Sequence, residues 1–218
     1  MLYLDNAATT KINKEVLAAM IDAFDVYGNT EAKFYLQAEN AKKMVANARS
    51  QVGHIINSSN SNEIIFTSGA TEANNLVLRG SVEASSIKKG KIIISAIEHS
   101  SIYDTCLNLQ KHGVDIDIVP VDATGQVDLQ ELEKLIDEAT ILVSIIAVNN
   151  EIGTIQDLKA IDNICVKKGV VWHTDATQAI GKIKIDVQQF ESLKFLTFTS
   201  HKIYGPKGIG CLYVRNDI

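Results

Sequence analysis

The stretch FLTFTSHKIYGPKGIG, residues 195–210, decides the fold and points to the chemistry of this chain. Its apolar and aromatic first part predicts a buried strand that ends at Ser200-His201-Lys202. The glycines and the proline beyond it predict a turn before a second apolar run at 209–214. Desolvation depresses the pKa of a lysine just past a buried strand, and a neutral amine can form a Schiff base with an aldehyde. The alternative is that Lys202 is a solvated loop lysine.

Upstream of this stretch, short apolar runs alternate with segments of helical periodicity. The apolar runs predict strands at 63–67, 91–97, 115–121, 141–148 and 170–174. Helices are predicted at 14–24, 32–56 and 128–138. Three more helices follow the polar residues at strand ends and run to residues 78, 112 and 168. Repeated β-α units of this kind form a mostly parallel sheet covered on both faces, so the predicted fold class is α/β.

The composition is that of a globular chain with one substantial core: 218 residues, 46% hydrophobic and 22% charged. A formal charge of -5 argues against non-specific binding to nucleic acid or to anionic membranes. No apolar stretch approaches the roughly 20 residues of a spanning helix, and the N-terminus shows no secretory signal. Three cysteines at unrelated spacings fit reduced thiols, which predicts a cytoplasmic location, and no metal-ligand spacing is present.

Polar residues follow several predicted strands, at the edge where open α/β sheets bind ligands. Residues 68–71 precede a helix, so free backbone N–H groups and the Thr71 hydroxyl could hold a phosphate. The alternative is that Ser68 or Thr71 only caps the helix. Asp175 ends an apolar strand and is either a turn-former or the partner of a buried cation, such as a protonated pyridine nitrogen.

Three further residues at these strand ends could complete a cofactor site. Gln178 could donate a hydrogen bond to the phenolic oxygen of a pyridine ring. His99 could stack on a flat ring or relay protons, although a lone histidine is more often structural. Asn150 could bind cofactor or substrate, or could simply be a polar loop residue. Together with the phosphate loop and the lysine, this set of residues fits pyridoxal 5′-phosphate.

Six motifs resemble those of the cysteine desulfurases, which are pyridoxal phosphate enzymes of the class V aminotransferase family. The resemblance extends over essentially the whole chain. The motifs are YLDNAATT (3–10), TSGATEANN (67–75), EHSS (98–101), NNEIG (149–153), HTDATQ (173–178) and SHKIYGPKGIG (200–210). The resemblance implies the large domain of the aspartate aminotransferase-like fold, with a mostly parallel sheet flanked by helices.

The resemblance also implies roles for individual residues. Lys202 would form the Schiff base with the cofactor and then transfer protons, and His99 would stack on the ring and act in acid–base steps. Asp175 would pair with the ring nitrogen, while Gln178 and Asn150 would bind near the phenolic oxygen. The phosphate would be held by residues of two loops: Ala70, Thr71, Ser200 and His201. Residues of the N-terminal segment would lie close to the substrate: Asn6, Ala7 and Ala8.

The activity implied by the resemblance is the conversion of L-cysteine to alanine, with the sulfur passing as a persulfide to an acceptor protein. A homodimer and a role in sulfur mobilisation for iron–sulfur cluster assembly are implied as well. Other class V reactions remain open, namely those of a selenocysteine lyase or of a small-amino-acid aminotransferase or epimerase. A catalytically inactive fragment or partner chain is the non-enzymatic alternative.

The chain departs from the family pattern in its length and in one loop. Family members are much longer, so residues 1–218 would be the cofactor-binding large domain, including an N-terminal segment 1–30. The small C-terminal domain would be absent, and with it the persulfide-forming cysteine and the arginine that binds the substrate carboxylate. In the loop 30–37, Thr30-Glu31-Ala32-Lys33-Phe34-Tyr35 replaces the usual Pro-Ser-Ser and following histidine, which could alter substrate access or acceptor choice.

The three cysteines do not substitute for the missing one in this interpretation. Cys106 and Cys165 lie on predicted helices and Cys211 on a predicted strand, at positions that favour core packing. A reactive thiol needs an accessible, electropositive environment. We therefore predict that none of the three carries a persulfide.

Overall fold

Seven strands form one sheet in the computed structural model, which describes residues 2–87 and 90–217. The strands are β1 (Ile64–Thr67), β2 (Lys91–Ser95), β3 (Asp115–Val119), β4 (Thr140–Ser144), β5 (Trp172–Asp175), β6 (Leu193–Thr199) and β7 (Gly210–Val214). Their order across the sheet is β1-β7-β6-β5-β4-β2-β3. Neighbours from β3 to β6 are parallel, whereas β7 is antiparallel to both β6 and β1. The predicted α/β class with a mostly parallel sheet is confirmed.

Six α-helices flank the sheet within the described ranges. They are α1 (Lys14–Ala23), α2 (Leu36–Ile55), α3 (Ala70–Ala84), α4 (Ser100–Lys111), α5 (Leu129–Leu135) and α6 (Leu158–Lys168). None of the helices in the described part of the chain combines the length and apolar character needed to cross a bilayer. Each helix after β1 lies close in sequence to a strand, as a β-α alternation requires.

Some element boundaries differ from the predicted ones. The predicted helix at 32–56 begins only at Leu36, because Tyr35 has an extended backbone and Ala32 closes a turn onto the carbonyl of Asn29. The predicted strand at 141–148 ends at Ser144, and the chain beyond it continues beside β5 through single backbone hydrogen bonds. The helix predicted to end near 78 continues to Ala84. Apolar periodicity detects the buried face, but it does not detect where backbone pairing stops.

Two hydrophobic clusters cover opposite faces of the sheet. Strand β2 shows this arrangement because all five of its residues are buried. Ile93 contributes to the cluster that contains Trp172, whereas Ile92 and Ile94 contribute to the cluster that contains Leu78 of α3. Side chains of a strand alternate between faces, so a strand buried on both faces has a continuous apolar sequence. The central strand ends are thereby held rigidly along one edge of the sheet.

The N-terminal segment is attached to the loop that carries the lysine. The backbone N–H of Thr10 donates to the carbonyl of His201 at 2.8 Å, and the N–H of Asn13 donates to the carbonyl of Tyr204 at 2.9 Å. The Thr10 hydroxyl accepts the N–H of Tyr204 at 2.7 Å. These contacts place residues 7–10 over the carboxyl ends of the strands, about 190 positions away in sequence.

Gly210 allows the loop after β1 to lie directly against β7. A Cβ atom on Gly210 would lie 2.4 Å from the carbonyl carbon of Gly69 and 2.6 Å from the Thr67 hydroxyl. We therefore expect Gly210→Ala to lower the free energy of unfolding by about 1–3 kcal/mol, because backbone would have to move to make room. Gly69→Ala is the matched control, since a Cβ there would contact nothing within 4 Å. Urea denaturation of both variants measures the difference, and equal stabilities would contradict the argument.

Candidate functional site

A cavity of about 720 Å³ lies at the carboxyl edge of the sheet. It brings together most of the residues singled out in the sequence. Those that line it are Ala7, Ala8, Ala70, Thr71, His99, Asn150, Asp175, Gln178, His201 and Lys202. Two of the residues singled out do not line it: Asn6 is exposed on the N-terminal segment, and the Ser200 hydroxyl donates to the carbonyl of Pro206. The side chain of Ser200 therefore holds its own loop together in this structure.

Lys202 reaches across the cavity to the N-terminal segment. Its Nζ donates to the carbonyl oxygens of Ala7 and Ala8 at 2.6 and 2.7 Å. Partial burial lowers the pKa of the Lys202 ammonium, and the nearby positive charge of Lys182 lowers it further, while Asp5 and Asp175 oppose the shift. A lysine whose neutral form is favoured in this way is a better nucleophile towards an aldehyde.

The amide of Gln178 has a defined orientation. Lys182 Nζ donates to Gln178 Oε1 at 2.5 Å, and Gln178 Nε2 donates to the Ala7 carbonyl at 2.9 Å. Since an ammonium group has donors only, it must face the amide oxygen. The N–H₂ end of Gln178 is consequently the end near Lys202, where it can donate to an oxygen in the cavity.

Asp175 is a nearly buried carboxylate at the end of β5, with 3% of its surface exposed. Its Oδ2 accepts from Asn74 Nδ2 at 2.8 Å, and its Oδ1 accepts from the backbone N–H of Thr177 at 2.9 Å. Each oxygen retains lone pairs, and the residue lines the cavity. A buried anion with spare acceptor capacity is suited to bind a cationic N–H group.

His99 is the N-cap of α4, and this position determines its neutral tautomer. The backbone N–H of Ser101 donates to His99 Nδ1 at 3.1 Å, and the Ser101 hydroxyl lies 2.9 Å from the same nitrogen. A backbone N–H can only donate, so Nδ1 is the acceptor and the proton of the neutral ring lies on Nε2. His99 therefore presents an N–H donor from the side of the ring that faces away from the cap.

The loop before α3 exposes helix N–H groups to the cavity. Helix α3 begins at Ala70 with Gly69 as its N-cap and without a side-chain cap. The alternative in which Ser68 or Thr71 caps the helix is therefore wrong. The Ser68 N–H and hydroxyl donate instead to the Glu72 carboxylate at 2.6 and 2.7 Å. The first N–H groups of a helix without such a cap can bind an anion.

Basic side chains lie near this helix terminus. Lys207 and His201 line the cavity together with Lys202. Burial lowers the pKa of His201, and the positive charges of Lys202 and Lys207 lower it further. The His201 Nδ1 lies 3.1 Å from the Thr9 hydroxyl, which fixes the ring against the N-terminal segment. The side of the cavity near α3 is thus able to receive a phosphate group.

Residues 2–218 match the family described as Aminotransferase class-V. The chain belongs to this family. Among curated relatives, it is 47% identical over 218 residues to "Cysteine desulfurase, mitosomal" of Encephalitozoon cuniculi, a match that covers 98% of this chain and 50% of the relative. It is 44% identical over 215 residues to "Cysteine desulfurase IscS" of Rickettsia massiliae, covering 98% and 52%. The chain spans about half the length of the curated relatives it matches.

Solved structures of class V aminotransferase relatives superpose closely on this chain. One described as a NifS-like protein has a TM-score of 0.95 at 40% identity and covers 100% of this chain and 60% of its own. Another, described as SspA in complex with cysteine, has a TM-score of 0.93 at 37% identity and covers 99% and 62%. The resemblance inferred from the motifs is confirmed, and the relatives are enzymes named as cysteine desulfurases.

The cavity of this class V chain fits pyridoxal phosphate. An orphaned buried hydroxyl, Thr177 Oγ1, has no partner within the described ranges, and its residue lines the cavity between Asp175 and Gln178. The free N–H groups of α3 would donate to phosphate oxygens, and the Gln178 amide would donate to the phenolic oxygen. The Asp175 carboxylate would accept from the protonated ring nitrogen. No group of three or more His, Cys, Asp or Glu side chains in residues 2–87 and 90–217 could hold a metal ion.

The cysteines of this class V chain lie away from the cavity surface. Cys106, Cys165 and Cys211 are free and buried, and burial raises the pKa of each thiol to about 12. Thiolate formation is therefore unfavourable at all three positions. That none of them carries a persulfide stays a prediction. After incubation with ³⁵S-cysteine, peptide mapping should detect no label at these positions, and label at any one of them would contradict the prediction.

Sequence reasoning missed Glu98, whose carboxyl group lies behind His99. Its Oε1 accepts from the Ser95 hydroxyl and, at 2.8 Å, from the N–H of Ile146, whereas its Oε2 is buried without a partner in the described structure. Burial raises the pKa of Glu98 to about 8, although these two hydrogen bonds oppose the shift. The sequence shows an acidic residue next to a candidate catalytic histidine, which is a signal that could have singled out Glu98. Its burial, which raises its pKa, is decided by the tertiary structure.

The raised pKa of Glu98 makes folding pH-dependent. Between the ordinary value of 4.5 and about 8, the folded state holds a proton that the unfolded state loses. The stabilisation is complete below 4.5 and disappears as the pH rises through 8. We expect Glu98→Gln, which imitates the protonated form, to remove a decline of the order of a few kcal/mol between pH 5 and pH 8. Denaturation at both pH values tests this, and an unchanged decline in the variant would refute it.

Proposed function

We propose that this chain is the pyridoxal phosphate-binding large domain of a cysteine desulfurase, residues 1–218 including the N-terminal segment 1–30. The observation that carries the proposal is the convergence of Lys202, Asp175 and the free N-terminus of α3 on one cavity. The small domain present in longer family members would be needed in addition, consistent with a chain about half as long as its relatives.

The proposed cofactor supplies an aldehyde that captures amines and a ring that accepts an electron pair. The residues of this chain hold it and move protons around it. The first turn of α3 with Thr71 and His201 would hold the phosphate, and Asp175 would hold the protonated ring nitrogen. Gln178 and Asn150 would donate to the phenolic oxygen. Lys202 would supply the amine that the aldehyde captures, and it would accept and return the proton at the α-carbon of the substrate.

His99 has a more limited role than that of a general base in this proposal. Because its Nδ1 accepts the N–H of Ser101, the proton of the neutral ring lies on Nε2. The side chain could therefore stack on the cofactor and donate a hydrogen bond from Nε2. To accept one at Nε2 while staying neutral, it would have to break the cap of α4. These contacts support the proposal that Lys202, and not His99, is the general base.

The proposed overall reaction transfers sulfur from L-cysteine to a thiol. The C–S bond of cysteine breaks, an S–S bond to the acceptor thiol forms, and the products are alanine and a persulfide. The buried thiols of this chain are unsuited to accept the sulfur, so we propose that the acceptor thiol lies on another segment or protein. A homodimer, a sulfur-acceptor protein and a role in iron–sulfur cluster assembly are proposed from the desulfurase relatives.

The cellular location is proposed to be the cytoplasm. Three free buried cysteines fit a reducing compartment. The bacterial IscS relative supports this location, whereas the Encephalitozoon relative is named as mitosomal. Cell fractionation with an antibody to this chain would distinguish the two compartments.

The proposed function is tested by cofactor loading of the purified chain. We expect pyridoxal phosphate to produce a near-visible absorbance band that shifts on addition of cysteine, and borohydride to fix the cofactor covalently. Alanine release from cysteine, measured with and without a second chain carrying the remaining part of a desulfurase relative, tests turnover. Release from selenocysteine alone would favour the lyase. A chain that neither binds the cofactor nor gains activity from a second chain would contradict the proposal.

A further inference from the structure

A continuous chain of buried side chains lies behind Asp175. It runs from Ser144 on β4 through His173 on β5 and Thr197 on β6 to Asn74 on α3, and Asn74 contacts the Asp175 carboxylate. All four of these side chains are 0% exposed. The successive distances are 2.8 Å from Ser144 Oγ to His173 Nδ1, 3.3 Å from His173 Nε2 to Thr197 Oγ1, 2.5 Å from Thr197 Oγ1 to Asn74 Oδ1, and 2.8 Å from Asn74 Nδ2 to Asp175 Oδ2.

The sheet register brings these residues together. Ser144 is directly opposite His173 in the β4–β5 pair, and Asp175 is directly opposite Thr197 in the β5–β6 pair. His173 and Asp175 are two positions apart on one strand, so they lie on the same face. Helix α3 packs across this face and inserts Asn74 between Thr197 and Asp175.

The direction of every hydrogen bond in this series follows from the Asp175 carboxylate, at which the series ends. An ionised Asp175 only accepts, so the nitrogen of Asn74 must face it and the oxygen of Asn74 must face Thr197. The Thr197 hydroxyl proton is then donated to Asn74, which leaves only lone pairs for His173. His173 Nε2 must therefore carry a proton and donate it to Thr197.

The direction of the remaining hydrogen bond, between Ser144 and His173, depends on the charge state of His173. Burial lowers the pKa of His173 to about 4, although the Asp175 charge opposes the shift, so the ring is neutral at physiological pH. A neutral ring with its proton on Nε2 has a free acceptor at Nδ1, which receives the Ser144 hydroxyl proton. All donors thus point from Ser144 towards Asp175, and hydrogen bonds aligned in one direction polarise each other.

Asn74 also connects this series of hydrogen-bonded side chains to the side of the cavity where His99 lies. Its Nδ2 lies 2.9 Å from the Ser101 hydroxyl, and that hydroxyl lies 2.9 Å from His99 Nδ1. With one amide N–H directed to Ser101, the Ser101 hydroxyl proton is free to be donated to His99. One buried amide therefore helps to set which hydrogen-bond donors face Asp175 and His99.

We propose that Ser144, His173, Thr197 and Asn74 form a one-way hydrogen-bond relay whose residues position Asp175 as an anionic acceptor for a cationic ring nitrogen. The proposal deepens the proposed function and rests on it for the identity of the ligand. The relay residues do not touch the cofactor, so they are positioning residues. Their contribution is to hold the Asn74 amide: without the Thr197 proton, the amide oxygen loses its donor, and one of the contacts that keep the N–H₂ group on Asp175 is lost.

The first test measures the tautomer of His173 in the cofactor-free chain. The protein is labelled with ¹⁵N-histidine, and the His173 signals are assigned with a His173→Gln variant. We expect the two ring nitrogens at pH 7 to show the neutral form with the proton on Nε2. The tautomer with the proton on Nδ1, or a charged ring, would overturn the proposal whether or not the chain binds pyridoxal phosphate.

The second test compares two buried threonines. Thr197→Val removes the hydroxyl of the relay, and Thr197→Ser restores a hydroxyl. Thr174→Val is the matched control, because the Thr174 hydroxyl is equally buried and adjacent to Asp175 but donates to the Ile145 carbonyl at 2.8 Å. We expect the dissociation constant for pyridoxal phosphate to rise roughly fivefold or more in Thr197→Val, little in Thr174→Val, and to recover in Thr197→Ser.

The outcomes of the two tests are separable. Equal effects of the two valine variants on cofactor affinity would overturn the relay while leaving the proposed function intact. If the unaltered chain neither binds pyridoxal phosphate nor gains activity from a second chain, the proposed function is contradicted, and the His173 tautomer would still decide the direction of the relay.

Discussion

Lys202→Ala is expected to abolish the covalent attachment of pyridoxal phosphate by borohydride and to reduce any turnover by about 10²–10⁴-fold. The variant loses both the amine that captures the aldehyde and the group that moves the α-proton. It also loses the two hydrogen bonds to the Ala7 and Ala8 carbonyls, so the N-terminal segment should become less protected. Mass spectrometry of the reduced protein measures the attachment directly.

The matched control for Lys202 is Lys207, a second lysine that lines the same cavity. Lys207→Ala should retain the reducible linkage, although the loss of a positive charge near α3 should weaken cofactor binding modestly. Hydrogen exchange of residues 7–10 reports on the N-terminal segment in both variants. Retention of the borohydride-fixed cofactor in Lys202→Ala would show that another amine forms the linkage.

Asp175→Asn is the second substitution with a large expected effect. The amide has the shape of the carboxylate but no charge, so it no longer stabilises a protonated ring nitrogen. We expect the dissociation constant for pyridoxal phosphate to rise roughly tenfold to 100-fold, because a charge-assisted hydrogen bond contributes about 1.5–3 kcal/mol. Titration followed by absorbance at neutral pH measures this change.

A control for Asp175→Asn must separate the loss of charge from the cost of burying an amide. Asp162 on α6 is suitable because it is 1% exposed and accepts the N–H and hydroxyl of Ser192, away from the cavity. Asp162→Asn should lower the free energy of unfolding while leaving cofactor affinity unchanged. If Asp175→Asn and Asp162→Asn bind the cofactor equally well, Asp175 has no role in binding the ring.

The sequence by itself determined the fold class and the set of residues at the strand ends. Apolar runs such as Ile92–Ile94 are continuous because their strand is buried on both faces, and such runs can be recognised without coordinates. Lys202 and Asp175 lie within four residues of the last aromatic residue of a predicted strand, so their position at the edge of the sheet could be predicted. The buried environment of the three cysteines could be predicted from the same periodicity.

Sequence reasoning could not decide which hydrogen-bond partner a side chain would find. Ser200 stays a predicted phosphate ligand, and in this structure its hydroxyl donates to the carbonyl of Pro206 six residues away. The start of α3 was ambiguous because a serine or threonine can cap a helix, and only the position of Gly69 excluded this. A hydroxyl has several possible partners of similar energy, so its residue type does not choose between them.

The relay behind Asp175 was decided by tertiary structure alone. Its members are separated by up to 123 residues in sequence, and none belongs to a local pattern that marks it as part of a network. Strand register and the packing of α3 bring a serine, a histidine, a threonine and an asparagine within hydrogen-bonding distance. Burial then requires every polar group to find a partner, and this requirement fixes the direction in which the protons point.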